Sequence, residues 1–251
     1  LLPEGPLVLA GTGPLLYLYA AQCVTAGKHD VTLLDSCDPS AALSALAHLP
    51  RALTGHGPRY LAKGLGLLLA LRRKGISHHL GVRGLRILSG TETALTVHCR
   101  IGGRDRHFPA AHVGLHEGVI PETHLSRALG CAHVWSPRAQ AFLPQRDPGL
   151  RSSLAQVFVA GDAGGIGGAQ SALFEGQLAA CAILHSDGRI PDAEARRRMQ
   201  TLRREIAKHA APRPFLDRWY RPRAEVLRPP DETLVCRCEE VSAGAIREAL
   251  R

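Results

Sequence analysis

The apolar run Gln156-Val-Phe-Val-Ala-Gly161 ends on Asp162, and Gly164, Gly165, Gly167 and Gly168 follow before a stretch of small residues that opens with Ala169. This order reads as a buried strand that delivers an acid at its carboxyl end, a glycine loop, and a helix. The loop's backbone N–H groups can come close to a pyrophosphate, and the positive helix N-terminus points at the same place. Gly161, Asp162, Gly167, Gly168 and Ala169 are therefore candidate dinucleotide-binding residues. Gly168, Ala172, Gly176 and Ala180 recur every fourth residue, which predicts a helix stripe almost without side chains that can approach a sheet or a ligand closely. A plain strand-turn-helix is the alternative, but five glycines around one acid exceed what a turn needs.

A second glycine-framed acid lies near the start. Leu7-Val-Leu-Ala10 reads as a buried strand, Gly11-Thr-Gly13 as a tight turn, and Asp35 closes the next strand, Val31-Thr-Leu-Leu-Asp35. An acid about twenty residues past the glycines is where a ribose 2′-hydroxyl would be gripped, and a carboxylate there favours NAD(H) or another unphosphorylated adenine nucleotide over NADP(H). Leu16 stands where the third glycine of that pattern belongs. A leucine at that point pushes the helix off the strand or blocks the pyrophosphate, so a Rossmann-type domain that binds no pyridine nucleotide is the competing reading.

Seven cysteines are present. Cys23, Cys37, Cys99, Cys131 and Cys181 sit singly among apolar neighbours, as reduced core cysteines do, which points to a cytoplasmic protein and to no disulfide framework. Cys236 and Cys238 differ: two thiolates one residue apart on a turn can ligate one iron or zinc centre, given two more ligands from elsewhere. His78 and His79 read as partly exposed surface.

The elements that must position these groups follow from the pattern. The fold class expected is α/β, a Rossmann-type nucleotide-binding domain with an antiparallel meander over 1–115. A second stretch, carrying the Asp162 motif, follows over 116–188, then a basic helical linker over 189–231 and a small Cys-x-Cys domain opening at 232–251. Helices are predicted from about Pro14 to Ala26, over Ala41–Ala47 and over Tyr60–Lys74. The meander is predicted from Gly75-Ile-Ser-His-His-Leu80, Leu85–Leu88 and Ala94–Cys99, with a hairpin turn at Ile101-Gly-Gly-Arg104, and a further strand runs through Ala110–Pro121. Ser242 is the expected N-cap of the last helix.

Composition narrows the function classes. With 45% hydrophobic residues the chain can bury a sizeable core. The net charge of +9 is concentrated around Arg196-Arg-Arg-Met-Gln-Thr-Leu-Arg-Arg204, and only 4% of residues are aromatic, so nucleic-acid binding is not expected and a partner protein or acidic surface is. No apolar stretch reaches the length of a transmembrane segment. The chain opens on Leu and enters a strand within seven residues, so it reads as an interior piece of a longer protein.

Val157-Phe-Val-Ala-Gly-Asp162 followed by Gly165-Ile-Gly-Gly-Ala169 resembles the second flavin-contacting motif of the FAD/NAD(P)-dependent oxidoreductases with two dinucleotide domains. The resemblance implies that 116–188 is the C-terminal part of a flavin-binding domain, that Gly161 and Asp162 hold the ribityl chain of FAD, and that Gly118 and Pro121 form the turn returning the chain to that domain. It also implies that His116 and Glu117, the one acid/base pair, fall near the interdomain cleft, with no catalytic role assigned. Val235-Cys-Arg-Cys-Glu-Glu-Val241 is similar to the opening half of the bacterioferritin-associated-ferredoxin type of 2Fe-2S domain, which implies half of a cluster site at Cys236 and Cys238. The order of these parts resembles the alpha (A) subunit of the hetero-oligomeric amine and imino-acid dehydrogenases, a group including opine oxidase, D-hydroxyproline dehydrogenase and hydrogen cyanide synthase. That resemblance implies an electron relay through flavin and a 2Fe-2S centre. The electrons would come from an amino-acid-oxidase-like beta subunit through which the protein could associate with a membrane, and the acceptor stays open. A self-contained NADH-dependent flavoprotein reductase and a non-redox nucleotide-binding scaffold are the alternatives.

Overall fold

A computed structural model describes residues 2–90 and 95–251; Ala94, expected to open a strand, lies outside them. The first half contains β1 (Leu7–Thr12), α1 (Pro14–Thr25), β2 (Val31–Asp35), α2 (Pro39–Ala45), α3 (Leu49–Ala52), α4 (Gly57–Arg73), β3 (Ser77–Leu80), β4 (Arg83–Ser89), β5 (Leu95–Ile101), β6 (Arg104–Ala110) and β7 (His112–Glu117). The second contains α5 (His124–Ala128), β8 (His133–Ser136), β9 (Ala141–Pro144), α6 (Ala169–Ser186), α7 (Asp192–Ala210), α8 (Arg213–Trp219), α9 (Ala224–Leu227), β10 (Leu234–Cys236), β11 (Val241–Ser242) and α10 (Ala243–Ala249).

These pack into two units, each assembled from separated stretches. One comprises Leu1–Pro39, Leu71–Gly118 and Tyr220–Arg251, the other Ser40–Ala70 and Val119–Trp219. One cut between the units falls at Gly118. The segment 40–70, read as part of a contiguous first domain, groups instead with 119–219. Its apolar positions explain this, since Ala45 and Ala52, with Leu49 and Leu61, pack on Phe215, Leu216 and Trp219.

In the first unit four parallel strands run in the order β3-β2-β1-β7, the order of a doubly wound nucleotide-binding sheet. β1 is buried at every position, as a central strand covered on both faces must be. Pro14 at the first helical position pre-sets φ for α1, and the helix ends where Gly27 N and Lys28 N reach back to Val24 O and Cys23 O. The antiparallel meander is β4-β5-β6, with the expected turn at Gly102 and Gly103. The strand at 77–80, expected to be its first member, joins the parallel sheet instead. Val97, Cys99 and Ala110 of the meander pack on Val8, Ala10 and Leu34 to make this unit's core.

In the second unit α6 and α7 form a helical hairpin. The helix expected in the basic linker is present but packed rather than free: Ala195, Met199, Leu202 and Ile206 recur at helical spacing, and the last three pack on Leu178 and Ala179. The arginines occupy the opposite face, with Arg198 paired to Glu194. The run Val157–Ala160 is extended but makes only an isolated bridge, Phe158 with Arg151, rather than the expected strand ladder.

Candidate functional site

The carboxyl ends of β1 and β7 meet in the first unit, where the strand order places the crevice of such a sheet. Gly11 lies opposite His116 and Thr12 opposite Glu117. The His116 ring lies against Gly13, and burial lowers the pKa of that imidazole. Glu117 Oε1 lies 3.1 Å from where a side chain on Gly11 would begin, so a carboxylate stands over the glycine turn.

Asp35 is only 1% exposed. Its Oδ2 accepts from Tyr17 Oη and its Oδ1 from Cys37 N at 2.7 Å. The segment 220–223 lies alongside: Tyr220 packs on Tyr17 at 6.3 Å, and Arg223 donates to Ser36 O and Cys37 O and pairs with Asp38 at 3.7 Å. Asp35 thus points inward as a structural acceptor and does not fit the ribose-gripping role that its spacing suggests. Leu16, 3% exposed, fills the third-glycine position with core. The missed participants are Tyr17, Tyr220 and Arg223, and no local spacing announces them.

Burial raises the pKa of Asp35 despite the donors from Tyr17 and Cys37. Glu117 is raised by burial first, then by Glu225 and Asp35. A carboxyl group with a raised folded-state pKa binds its proton more tightly when folded. Its stabilising contribution is complete below the ordinary carboxylate range near about pH 4 and is lost as pH rises through the raised value. Urea midpoints should therefore fall as pH rises just above that range, and Asp35→Asn should flatten part of the slope. Parallel profiles for the two proteins would mean that Asp35 ionises normally.

The second glycine-framed acid is arranged differently. Asp162 is exposed, and its Oδ1 accepts from Gly167 N at 3.3 Å. Gly168 caps α6 with φ 88° and no side-chain hydrogen bond, so the first-turn N–H groups of this long helix lack intrahelical acceptors. Beneath the loop, Glu175 Oε2 accepts from Gly161 N at 2.9 Å and from Arg146 Nη1 at 2.8 Å, and Arg146 also donates to Val159 O at 2.9 Å. A side chain on Gly164 would meet Arg146 Nε at 2.8 Å, which is why that position has none. Arg146 and Glu175 were missed, although a lone acid inside a small-residue helix is a readable signal. Of the expected stripe, Gly168, Gly176 and Ala180 are exposed, whereas Ala172 is half-buried and so close to Gly161 that a side chain on Gly161 would meet Ala172 Cβ at 3.4 Å; Ser171, Glu175, Leu178 and Ala179 form the buried face.

An exposed acid beside an open helix N-terminus fits a polyhydroxyl chain and an anionic diphosphate, the chemistry of a flavin dinucleotide. Gly161, Asp162, Gly167, Gly168 and Ala169 lie together on this loop and helix start.

Cys236 ends β10 half-buried, and Cys238 is exposed in the turn before β11. Ser242 Oγ accepts from Ala245 N at 3.2 Å, the expected cap of α10. The other five cysteines are buried and unbridged. Among the described residues, neither Cys236 nor Cys238 belongs to a cluster of three or more ligand groups. The donor set is two thiols, half of what a 2Fe-2S cluster needs. Among the described residues no helix is long and apolar enough to cross a membrane.

No family model matches the sequence. The chain is 54% identical over all of its 251 residues to the A subunit of opine oxidase from Rhizobium meliloti strain 1021, covering 54% of that protein. It is 31% identical over 261 aligned residues to the HcnB subunit of hydrogen cyanide synthase from Pseudomonas protegens, covering 99% of this chain and 53% of that one. It therefore spans about half the length of the curated relatives it matches. Among solved structures, thioredoxin reductase of T. acidophilum aligns with a TM-score of 0.50 and 18% identity over 73% of this chain and 52% of that chain, a likeness of fold.

Proposed function

We propose that this chain, homologous along its length with the A subunit of opine oxidase and with HcnB, is the flavin-facing and relay portion of an oxidoreductase subunit. In this reading a partner resembling amino-acid oxidases oxidises an amine, amino or imino acid, and this protein takes up the electrons and passes them on. The observation that carries it is Asp162 exposed beside the uncapped start of α6, on a loop braced by Glu175 and Arg146. FAD, when bound, supplies the two-electron to one-electron exchange that no amino-acid side chain provides. The residues here bind and orient: Asp162 accepts from the ribityl hydroxyls, the amides after Gly168 face the diphosphate, and Gly161 lets the backbone come close. Cys236 and Cys238 would supply two thiolates to an iron–sulfur centre.

Reduction experiments distinguish the readings. In the assembled enzyme the flavin should bleach when an opine or related amino acid is added with the partner present, whereas NADH alone should leave it oxidised. Bleaching by NADH without the partner would replace the relay by a self-contained reductase. Asp162→Ala should lower flavin occupancy after purification by a loss of about 1–3 kcal/mol in binding; unchanged flavin content would remove Asp162 from the site.

Buried Asp35 favours a second reading for the first unit alone, as a nucleotide-fold scaffold without redox chemistry. No nicotinamide step is assigned to it.

A further inference from the structure

We propose that His56, Glu205 and His209 form a site for one divalent transition-metal ion of the zinc class, whose ligand atoms lie within 4.8 Å of one another. The site belongs wholly to the second unit and does not depend on the electron-transfer reading.

Glu205 and His209 are four residues apart on α7 and so share a face. His56 comes from the turn between α3 and α4 and is pinned to the same helix, because His56 N donates to Lys208 O at 3.1 Å. Gly55 allows this approach, since a side chain there would meet Lys208 Cα at 2.8 Å. The imidazoles of His56 and His209 lie 4.3 Å apart, and His56 Nε2 is 3.8 Å from Glu205 Oε2. Lys208 Nζ holds the other carboxylate oxygen, Oε1, at 2.7 Å, which leaves Oε2 turned toward the histidine.

The surroundings orient the ligands. Tyr60 Oη lies 2.7 Å from His209 Nδ1, and Phe174 stacks on the same ring at 5.6 Å. A hydroxyl on one ring nitrogen fixes the tautomer and leaves Nε2 for a cation, an arrangement common around metal-ligating histidines. Burial, then His56, lowers the pKa of His209, while the Lys208 hydrogen bond holds that of Glu205 down. Two nitrogens and one oxygen suit zinc or cobalt, with a fourth position open to water. Bound there, the ion would clip the 53–56 turn to the end of α7.

The test is titration of the chelator-treated chain with Co²⁺ and with Zn²⁺. One equivalent of cobalt should give visible ligand-field bands without thiolate-to-cobalt charge transfer, and zinc should raise the melting temperature. His56→Ala, Glu205→Gln and His209→Gln should each weaken uptake at least tenfold and remove the thermal shift, with circular dichroism unchanged. If His209→Gln does not fold, His56→Ala, a change in a partly exposed turn residue, decides the matter. Absence of uptake, uptake indifferent to His56→Ala, or a thiolate band lost in Cys236→Ser would each overturn the assignment.

Discussion

Gly11→Ala is expected to destabilise the first unit severely, well beyond the loss of one contact. Gly11 has φ 125°, and an added Cβ would fall inside the carbonyl of His116, 2.6 Å from its carbon. That carbonyl is backbone on the neighbouring strand, so relief requires β1 and β7 to separate, with no flexible side chain available to move. Backbone strain of about 1–3 kcal/mol and overpacking of about 1–3 kcal/mol act together at this point. A total near about 4 kcal/mol is a large share of the stability of a small domain. Gly27→Ala is the control: Gly27 also has positive φ, at 96°, but nothing lies within 4 Å of its Cβ direction, so only the strain should remain. Equal urea midpoints for the two variants would show that the close approach of β1 and β7 carries no cost.

Glu175→Ala is the second large effect. It removes the acceptor of both Arg146 Nη1 and Gly161 N, in a pair whose side chains are 10% and 18% exposed. Breaking a buried ion pair from one side costs about 3–5 kcal/mol, with the lower end expected here because Arg146 keeps some contact with water. Arg146→Ala should cost a similar amount, and the double variant should cost clearly less than the sum, since no charge is then left unpaired. Both single variants should also lose flavin, because Gly161 is part of the loop that would bind it. A loss from Glu175→Ala below about 1 kcal/mol would mark the pair as solvent-screened and the loop as braced by something else.

The two glycine-framed acids separate what was readable from what was not. β1, β2, α1, the glycine turns and the Ser242 cap rest on local rules of hydrophobic runs, proline, glycine and capping, and each lies within a residue or two of its expected place. The turn at Gly161–Ala169 was legible for the same reason, as a run of glycines around an acid before a helix. The 77–80 strand and the 189–210 helix were legible as elements but not in their partners, because partnership depends on which distant apolar face is available to cover them.

The character of each acid follows from the packing around it. Asp35 and Asp162 carry the same side chain beside similar glycines, yet Asp35 is sealed by Tyr17 and the backbone of Cys37, with Tyr220 and Arg223 packed around them, while Asp162 stays exposed. Residues nearly two hundred positions away close over the first acid and not the second, and no spacing within either motif encodes that. Local order along the chain determines where it turns and which residues are chemically able to bind a nucleotide. Long-range packing determines which of them faces solvent, because burial depends on everything that folds over a group.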